Sequence, residues 1–113
     1  HFNVLNGPDS LIHQGFVEGC AGAVSGLANA APREVNAIWT RFAAGDIAGS
    51  RQQQERVTSL REALYKVCFA PAAVKRAVQL LGYHVGNSKY PVRISAEQEA
   101  QMREILQAHG ISG

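Results

Sequence analysis

The chain has 113 residues, of which 46% are hydrophobic and 18% are charged, and its formal net charge is +2. This length allows one domain with a modest core and is too short for two. The composition is that of a globular chain and excludes a disordered, collagen-like or disulfide-dense protein. The eleven Lys and Arg residues are scattered along the sequence, which argues against the clustered basic surface of a nucleic-acid-binding protein.

The first 26 residues predict a strand, a helix and a second strand. Residues 2–5 are rich in strand formers and stop at the turn-forming sequence Asn-Gly-Pro-Asp. Residues 10–18 contain a helical apolar stripe, with Asp9 or Ser10 placed to cap its start and Gly19 placed to end it. Residues 20–26 are small and apolar without alternation, which predicts a strand covered on both faces.

Two amphipathic helices are predicted next. Pro32 suits the first turn of a helix that ends at Gly45, and Asp46 suits the N-cap of a longer helix that ends near Cys68. The glutamine run at 52–54 is interpreted as the solvated face of that longer helix. The apolar stripes that define the two helices consist of Val35, Ile38, Trp39 and Phe42, and of Val57, Leu60, Leu64 and Val67.

The last third of the chain predicts two further helices and an extended connection. Pro71 opens a helix that Gly82 closes, and residues 83–94 are interpreted as extended. Ser95 and Gln98 have the spacing of a capping box, which predicts the start of a final helix that closes at residues 109–110.

The predicted sheet is incomplete. Two parallel strands joined through one helix leave both outer edges unpaired, and such a sheet is not expected to be stable alone. Because the chain begins on a strand and ends after a capped helix, we expect the missing strands to belong to sequence before His1. The alternation of strand and helix fits an α/β fold, either the end of a (β/α)8 barrel or a doubly wound sheet.

The cysteines and histidines do not suggest a metal site. Cys20 and Cys68 have neither CxxC spacing nor a nearby histidine cluster, so we expect free thiols. His13, His84 and His109 have no partner at i, i+4, and no role is assigned to them. No apolar run of about 18 residues and no signal-like N-terminus is visible, so we expect no membrane partner and a reducing cytoplasmic location.

Several stretches together resemble one known family. Residues 4–10, Val-Leu-Asn-Gly-Pro-Asp-Ser, and residues 19–32, which run from Gly19 to Pro32, are similar to strands seven and eight and their loops in the dihydrodipicolinate synthase and N-acetylneuraminate lyase family. Residues 71–77, 81–82, 90–93 and 105–111 resemble its C-terminal helical extension. The resemblance covers essentially the whole chain. It implies the last two strands and helices of a (β/α)8 barrel in residues 1–45 and a helical extension in residues 46–113, with the upstream barrel missing.

The resemblance also implies a reaction. In this family a lysine on strand six condenses with the ketone of pyruvate or another 2-keto acid, and the resulting enamine adds to, or is released from, an aldehyde, while a tyrosine on strand five relays protons. Such a lysine must be buried to lose its proton. Lys66, Lys75 and Lys89 all fall in the extension or its connection. We therefore expect no catalytic residue in this chain, no activity of the segment alone and no cofactor.

Four residues are the substrate-binding candidates that the resemblance implies. Gly7 matches a glycine at which substrate approaches the backbone, and Val24 matches a residue whose carbonyl lies near the Schiff base. Asp9 occupies a position at which sialic acid lyases carry an acidic residue that grips substrate hydroxyls, and Ser25 lies in the place of their Gly-Ser pair. The residues by themselves also allow plainer roles: a turn glycine with positive φ for Gly7, a barrel-core residue for Val24 and a helix N-cap for Asp9.

Two differences from the sialic acid lyases limit the range of expected aldehyde substrates. Ser10 stands where those enzymes carry an acidic residue, and Ser25-Gly26 replaces their Gly-Ser pair. A site built for polyol recognition loses heavily when polar partners are missing. A smaller or different aldehyde is therefore expected.

A different class of function stays open at this point. The amphipathic helices also fit a small helical interaction module without catalytic activity, in which Trp39, Phe42 and Leu60 form a partner-binding groove. Within the family interpretation, the resemblance implies a homo-oligomer, commonly a tetramer, or assembly with a companion N-terminal fragment.

Overall fold

The computed structural model describes residues 1–113, which divide into two units, residues 1–59 and 60–113. The order of elements is the one predicted, strand, helix, strand and then four helices. The elements are β1 (Leu5–Asn6), α1 (Ile12–Val17), β2 (Gly22–Ala23), α2 (Pro32–Ala43), α3 (Ile47–Val67), α4 (Ala70–Leu80) and α5 (Ala96–Ala108), with 3-10 turns at Asp9–Leu11 and Leu27–Asn29.

The two strands form a parallel pair. Leu5 is opposite Gly22 and Asn6 is opposite Ala23, and the N–H of Ala21 extends the pairing by donating to the carbonyl oxygen of Val4 at 2.8 Å. The connection through α1 makes this a βαβ unit. With only two strands in the sheet, each strand has one unpaired edge, as the sequence predicted.

The strands are shorter and less covered than predicted. The first strand was expected at residues 2–5 and the second at residues 20–26, whereas each strand has two residues. The expectation of a second strand covered on both faces is wrong for this chain, because Gly22 and Ala23 are only partly buried and Val24 is 66% exposed. A strand continues only where a neighbour pairs with it, and each strand here has a single neighbour.

The first helical segment differs in detail from the prediction. It begins as a 3-10 turn at Asp9–Leu11 and continues as α1. Neither Asp9 nor Ser10 caps it, since its N-cap is Pro8 and no side chain accepts a bond there. Of the predicted stripe, Ile12 and Phe16 are buried whereas Leu11 and Val17 are exposed.

The later helices match the predicted positions closely. Gly19, Gly45, Gly82 and Gly110 were each expected to follow a helix, and all four have positive φ angles, between 70° and 98°, as expected at a helix C-terminus. The Oδ1 atom of Asp46 accepts from the N–H of Gly49 at 2.9 Å at the start of α3, which is an N-cap contact.

One assignment on α3 was wrong. Gln52 is exposed, but Gln53 and Gln54 are only 7% and 8% exposed, so the glutamine run is not a solvated face. The Nε2 atom of Gln53 donates to the carbonyl oxygen of Glu34 at 3.0 Å. These buried amides tie α3 to other elements of the first unit rather than facing water.

Apolar side chains from every helix form the cores of the two units. None of the helices is long and apolar enough to cross a membrane. In the second unit the predicted capping box is present, with Ser95 Oγ accepting from the N–H of Gln98 at 3.1 Å and Gln98 Oε1 accepting from the N–H of Ser95 at 2.9 Å. The buried apolar residues of the first unit are Ile12, Phe16, Leu27, Ala30, Ala31, Val35, Ile38 and Val57, and those of the second are Leu60, Leu64, Ala72, Ala73, Val74, Ala77, Met102, Leu106 and Ile111.

Candidate active-site segment

The two strands end at the same edge of the sheet because they are parallel. Gly7 directly follows β1, and Val24 directly follows β2. The N–H of Val24 donates to the carbonyl oxygen of Asn6 at 2.9 Å, so the two chain segments leave the sheet side by side. The carboxyl ends of strands are where α/β folds place their binding loops.

Asp9 and Ser25 are joined directly across this edge. The hydroxyl of Ser25 donates to the Oδ1 atom of Asp9, and the N–H of Leu27 donates to its Oδ2 atom at 3.3 Å. Ser25 Oγ in turn accepts from the N–H of Ala28 at 3.0 Å. The carboxylate is 7% exposed. Asp9 is therefore not the N-cap of its own helix, and it holds the loop that follows β2.

Gly7 lies in open space. Its φ angle is not positive, and a Cβ atom added there meets no heavy atom within 4 Å. The turn-glycine alternative is therefore wrong, because neither the backbone conformation nor the packing of this chain requires glycine at position 7.

Val24 is also open to solvent in this chain. Its side chain is 66% exposed, so residues 1–113 do not bury it in a core. Gly7 and Val24, which directly follow the two strands, are thus both uncovered, whereas Asp9, which holds the loop after β2, is buried.

A buried polar network under the Asp9 loop was missed by the sequence analysis. The Oε1 atom of Gln54 accepts from the N–H of His13 at 2.9 Å, and its Nε2 atom donates to the carbonyl oxygen of Asp9 at 2.8 Å. Gln54 thereby fastens the start of the 3-10 turn and the first turn of α1 to α3. No local sequence pattern indicates this role, because Gln54 is 41 positions from His13 and 45 positions from Asp9.

His13 belongs to the same network. Its Nδ1 atom lies 2.8 Å from the Oγ atom of Ser50, and the ring packs edge-on to Phe42 at a centroid distance of 6.1 Å. The side chain is 5% exposed. Burial, and secondarily the positive charge of Arg51, lower the pKa of His13 below its ordinary value.

The interaction-module alternative loses one of its three residues. Phe16, Trp39 and Phe42 form an aromatic cluster with centroid distances of 5.0 to 6.4 Å, and Trp39 is 46% exposed. Leu60, however, is 1% exposed. A residue buried in that way cannot line a groove for a partner, so the predicted groove is wrong.

The three lysines are all in the second unit, and none of them is on a strand. Lys66 is on α3, Lys75 is on α4, and Lys89 is in the connection before α5. Lys66 and Lys89 are exposed and Lys75 is partly buried. No group of three or more His, Cys, Asp or Glu side chains is placed to hold a metal ion.

The chain matches the model of the dihydrodipicolinate synthetase family over residues 1–109. It is 32% identical over 108 residues to the 4-hydroxy-tetrahydrodipicolinate synthase of Archaeoglobus fulgidus, which covers 95% of this chain and 37% of that protein. N-acetylneuraminate lyase of Proteus mirabilis superimposes with a TM-score of 0.80 at 29% identity, covering 93% of this chain and 36% of the lyase.

A prophage protein of the dihydrodipicolinic acid synthase family from Escherichia coli, solved in complex with pyruvate, shares the fold with a TM-score of 0.85 at 24% identity. The superposition covers 98% of this chain and 38% of that protein. The mostly helical structure with its two parallel strands thus corresponds to a part of these larger proteins, and the chain spans 37% of the length of the curated Archaeoglobus relative. Sequence and structure agree over nearly all of its residues, and the chain belongs to the dihydrodipicolinate synthetase family.

Proposed function

We propose that this chain is the C-terminal segment of a Schiff-base-forming aldolase or lyase that acts on pyruvate or another 2-keto acid, and that the catalytic lysine lies outside residues 1–113. The observation that carries the proposal is the junction of the two strand-end loops through Asp9 and Ser25. It joins the two strand-end loops at one sheet edge, beside the uncovered residues Gly7 and Val24, within a chain of this family.

The positions of the lysines support an external nucleophile. A lysine attacks a ketone only after losing its proton, and burial is the usual means of favouring the neutral amine. Lys66 and Lys89 are exposed, Lys75 is only partly buried, and none of the three lies on β1 or β2. The amine would add to the ketone carbon and water would leave, giving an iminium that accepts the electron pair of the carbon–carbon bond.

The geometry supports distinct roles for the four predicted residues. The space beside Gly7 would admit a ligand to the backbone, and the main chain at Val24 would face the reacting carbon. Ser25 is partly buried and adjacent to Val24, and because its own hydrogen is donated to Asp9, it is suited to accept a hydrogen bond from a substrate hydroxyl. Asp9 is buried and already holds Ser25 and Leu27, so we assign it the role of a positioning residue.

The same residues favour a small aldehyde over a sialic acid. The carboxylate of Asp9 accepts from two protein donors, and its neighbour is Ser10 rather than a second acid. A site with few free acceptors selects poorly for a polyol. We propose a homo-oligomer, with a tetramer as the expected state, or a companion fragment that supplies the remaining strands for the open sheet edges.

Borohydride trapping tests the proposal. The complete polypeptide that carries this segment is incubated with pyruvate and sodium borohydride, and its intact mass and peptide map are measured. Hydride transfer to the iminium carbon fixes the adduct as a stable secondary amine. We expect one pyruvate-derived adduct per chain, on a lysine outside residues 1–113.

Two outcomes oppose the proposal: no pyruvate-dependent adduct, or an adduct on Lys66, Lys75 or Lys89. Ser25→Ala and Ser112→Ala form a matched pair for the site itself, because Ser112 is exposed near the C-terminus. Ser25→Ala is expected to raise the KM for the keto acid by about tenfold, because one hydrogen-bonding group is lost. Ser112→Ala should leave this KM unchanged.

A further inference from the structure

The second unit contains an open cavity of about 370 Å³ between α4 and the connection that follows it. Its aliphatic lining consists of Ala72, Val92 and Ile94. Its polar lining consists of Lys75, Arg76, Gln79, Asn87, Ser88 and Arg93. The volume is at the lower end of the roughly 300–1,000 Å³ that is typical of small-molecule sites.

The charges of this cavity all have one sign. Three of its lining residues, Lys75, Arg76 and Arg93, are cations, and none is an acid. The sequence around it is equally one-sided, because residues 63–96 include five Lys and Arg residues and no Asp or Glu. A cleft lined by one sign of charge beside an apolar wall raises the local concentration of oppositely charged solutes.

Two contacts hold the walls of the cavity in place. The Nη1 atom of Arg76 lies 3.1 Å from the Oε2 atom of Glu99, and the side chains of both residues are 30% exposed. The Nε2 atom of Gln79 donates to the carbonyl oxygen of Gly86 at 2.7 Å, which ties the connection to α4. The lining is therefore built on a helix and on a fastened loop.

The charge of Glu99 does not neutralise the site. Its Oε1 atom also lies 3.4 Å from the Nη2 atom of Arg103, so one carboxylate is shared between two guanidinium groups. Arg76 retains further N–H donors, since a guanidinium carries five. Lys75 and Arg93 have no ion-pair partner in the structure.

We propose that this cavity binds a small phosphate monoester. Three cations with amide and hydroxyl donors suit a phosphoryl dianion, for which guanidinium groups provide paired donors and an ammonium provides a point charge. The volume exceeds that of a phosphate group, and the aliphatic lining suits the carbon skeleton of an ester. The site is formed by the second unit alone and is independent of the proposed Schiff-base chemistry.

Isothermal titration calorimetry of the complete protein with glycerol 3-phosphate, inorganic phosphate and glycerol tests the proposal. We expect saturable binding of glycerol 3-phosphate, weaker binding of inorganic phosphate, no binding of glycerol, and an affinity that falls with added NaCl. Equal affinities for glycerol 3-phosphate and inorganic phosphate would overturn the proposal, because the cavity would then recognise free phosphate and not an ester.

Three single substitutions test whether this cavity is the binding site. Lys75→Gln and Arg93→Gln are each expected to weaken glycerol 3-phosphate binding by about tenfold, as for the loss of one charge-assisted hydrogen bond. Lys66→Gln removes the same charge from an exposed position outside the lining and should leave affinity unchanged. Circular dichroism and borohydride trapping of pyruvate should be unaltered in all three. The proposal is overturned by an absence of saturable binding, or by equal affinities of all three variants and the parent.

Discussion

The Nδ1 atom of His13 lies 2.8 Å from the Oγ atom of Ser50, whose hydroxyl donates its own hydrogen to the carbonyl oxygen of Ile38, also at 2.8 Å. A hydroxyl has one hydrogen, so the ring nitrogen must be the donor in the first contact. In the neutral ring the hydrogen is therefore on Nδ1, and the Nε2 atom is buried without a hydrogen-bond partner.

This arrangement predicts a loss of stability in mild acid. The pKa of His13 is lowered in the folded chain by burial and by Arg51, whereas the unfolded chain has the ordinary value near 6.5. Below about pH 6.5 the unfolded state therefore binds more protons than the folded state, and the free energy of unfolding falls as pH falls further. Above that pH the residue contributes no pH dependence.

Urea denaturation of the protein between pH 5 and pH 8 measures this effect. His13→Gln should flatten the fall below about pH 6.5, while His84→Gln, at an exposed position, should retain it. A His13→Gln protein with the parent's slope would show that another group is responsible.

Gln54 is expected to be the most sensitive polar residue of α3. Gln54→Ala leaves the N–H of His13 and the carbonyl oxygen of Asp9 without their partner. An unsatisfied buried group costs about 1–3 kcal/mol, so we expect a loss of about 2 kcal/mol or more in the free energy of unfolding. Hydrogen exchange should also increase at residues 9–13.

Gln52→Ala is the matched control, since Gln52 is exposed on the same helix and its loss should change stability by less than about 0.5 kcal/mol. Equal effects of the two substitutions would mean that the Gln54 contacts contribute nothing to the fold of this loop.

The contrast between Gln52 and Gln54 separates what local sequence predicts from what it does not. Helix ends at Gly19, Gly45, Gly82 and Gly110 were predicted because a positive φ is a local requirement that glycine meets. The contacts of Gln54 and His13 were not predicted, because their partners are distant in sequence and no pattern in the neighbouring residues indicates them.

The candidate site divides in the same way. The order of the strands and the position of Gly7 after the first strand followed from local pattern and resemblance, whereas Val24 was predicted within the second strand and instead follows it. Asp9 was expected to bind substrate by resemblance, with the N-cap of its own helix as the plainer alternative, and in the structure it holds Ser25 and Leu27 and does not cap that helix. That choice depends on the approach of two segments that are 16 residues or more apart, which spacing alone does not determine.

A close contact between α1 and β1 predicts that alanine lowers stability at Gly15 and leaves it unchanged at Gly7. A Cβ atom at Gly15 would lie 2.9 Å from the Cβ atom of Asn6, a position that cannot move without the strand. Overpacking costs about 1–3 kcal/mol, and the helix gains at most about 1 kcal/mol from alanine. Gly15→Ala should therefore lower the urea midpoint by a net effect of about 1 kcal/mol.

Gly7→Ala provides the comparison, because the added methyl group meets nothing. Its stability should stay within about 0.5 kcal/mol of the parent, while KM for the keto acid rises if Gly7 borders the substrate. Loss of stability in Gly7→Ala would contradict the open space that surrounds this residue.

The capping box of α5 predicts a coupled pair of effects. Ser95→Ala removes the acceptor of the Gln98 N–H, and Gln98→Ala removes both the acceptor of the Ser95 N–H and the donor to the carbonyl oxygen of Val67 at 2.9 Å. Each substitution should cost about 1 kcal/mol, with Gln98→Ala the larger because it also ends the contact with Val67. A double-mutant cycle in urea should give a coupling energy of about 0.5 kcal/mol or more, since the reciprocal bonds support each other. Strict additivity would mean that the two bonds form independently, and that α5 begins at Ala96 for reasons other than this box.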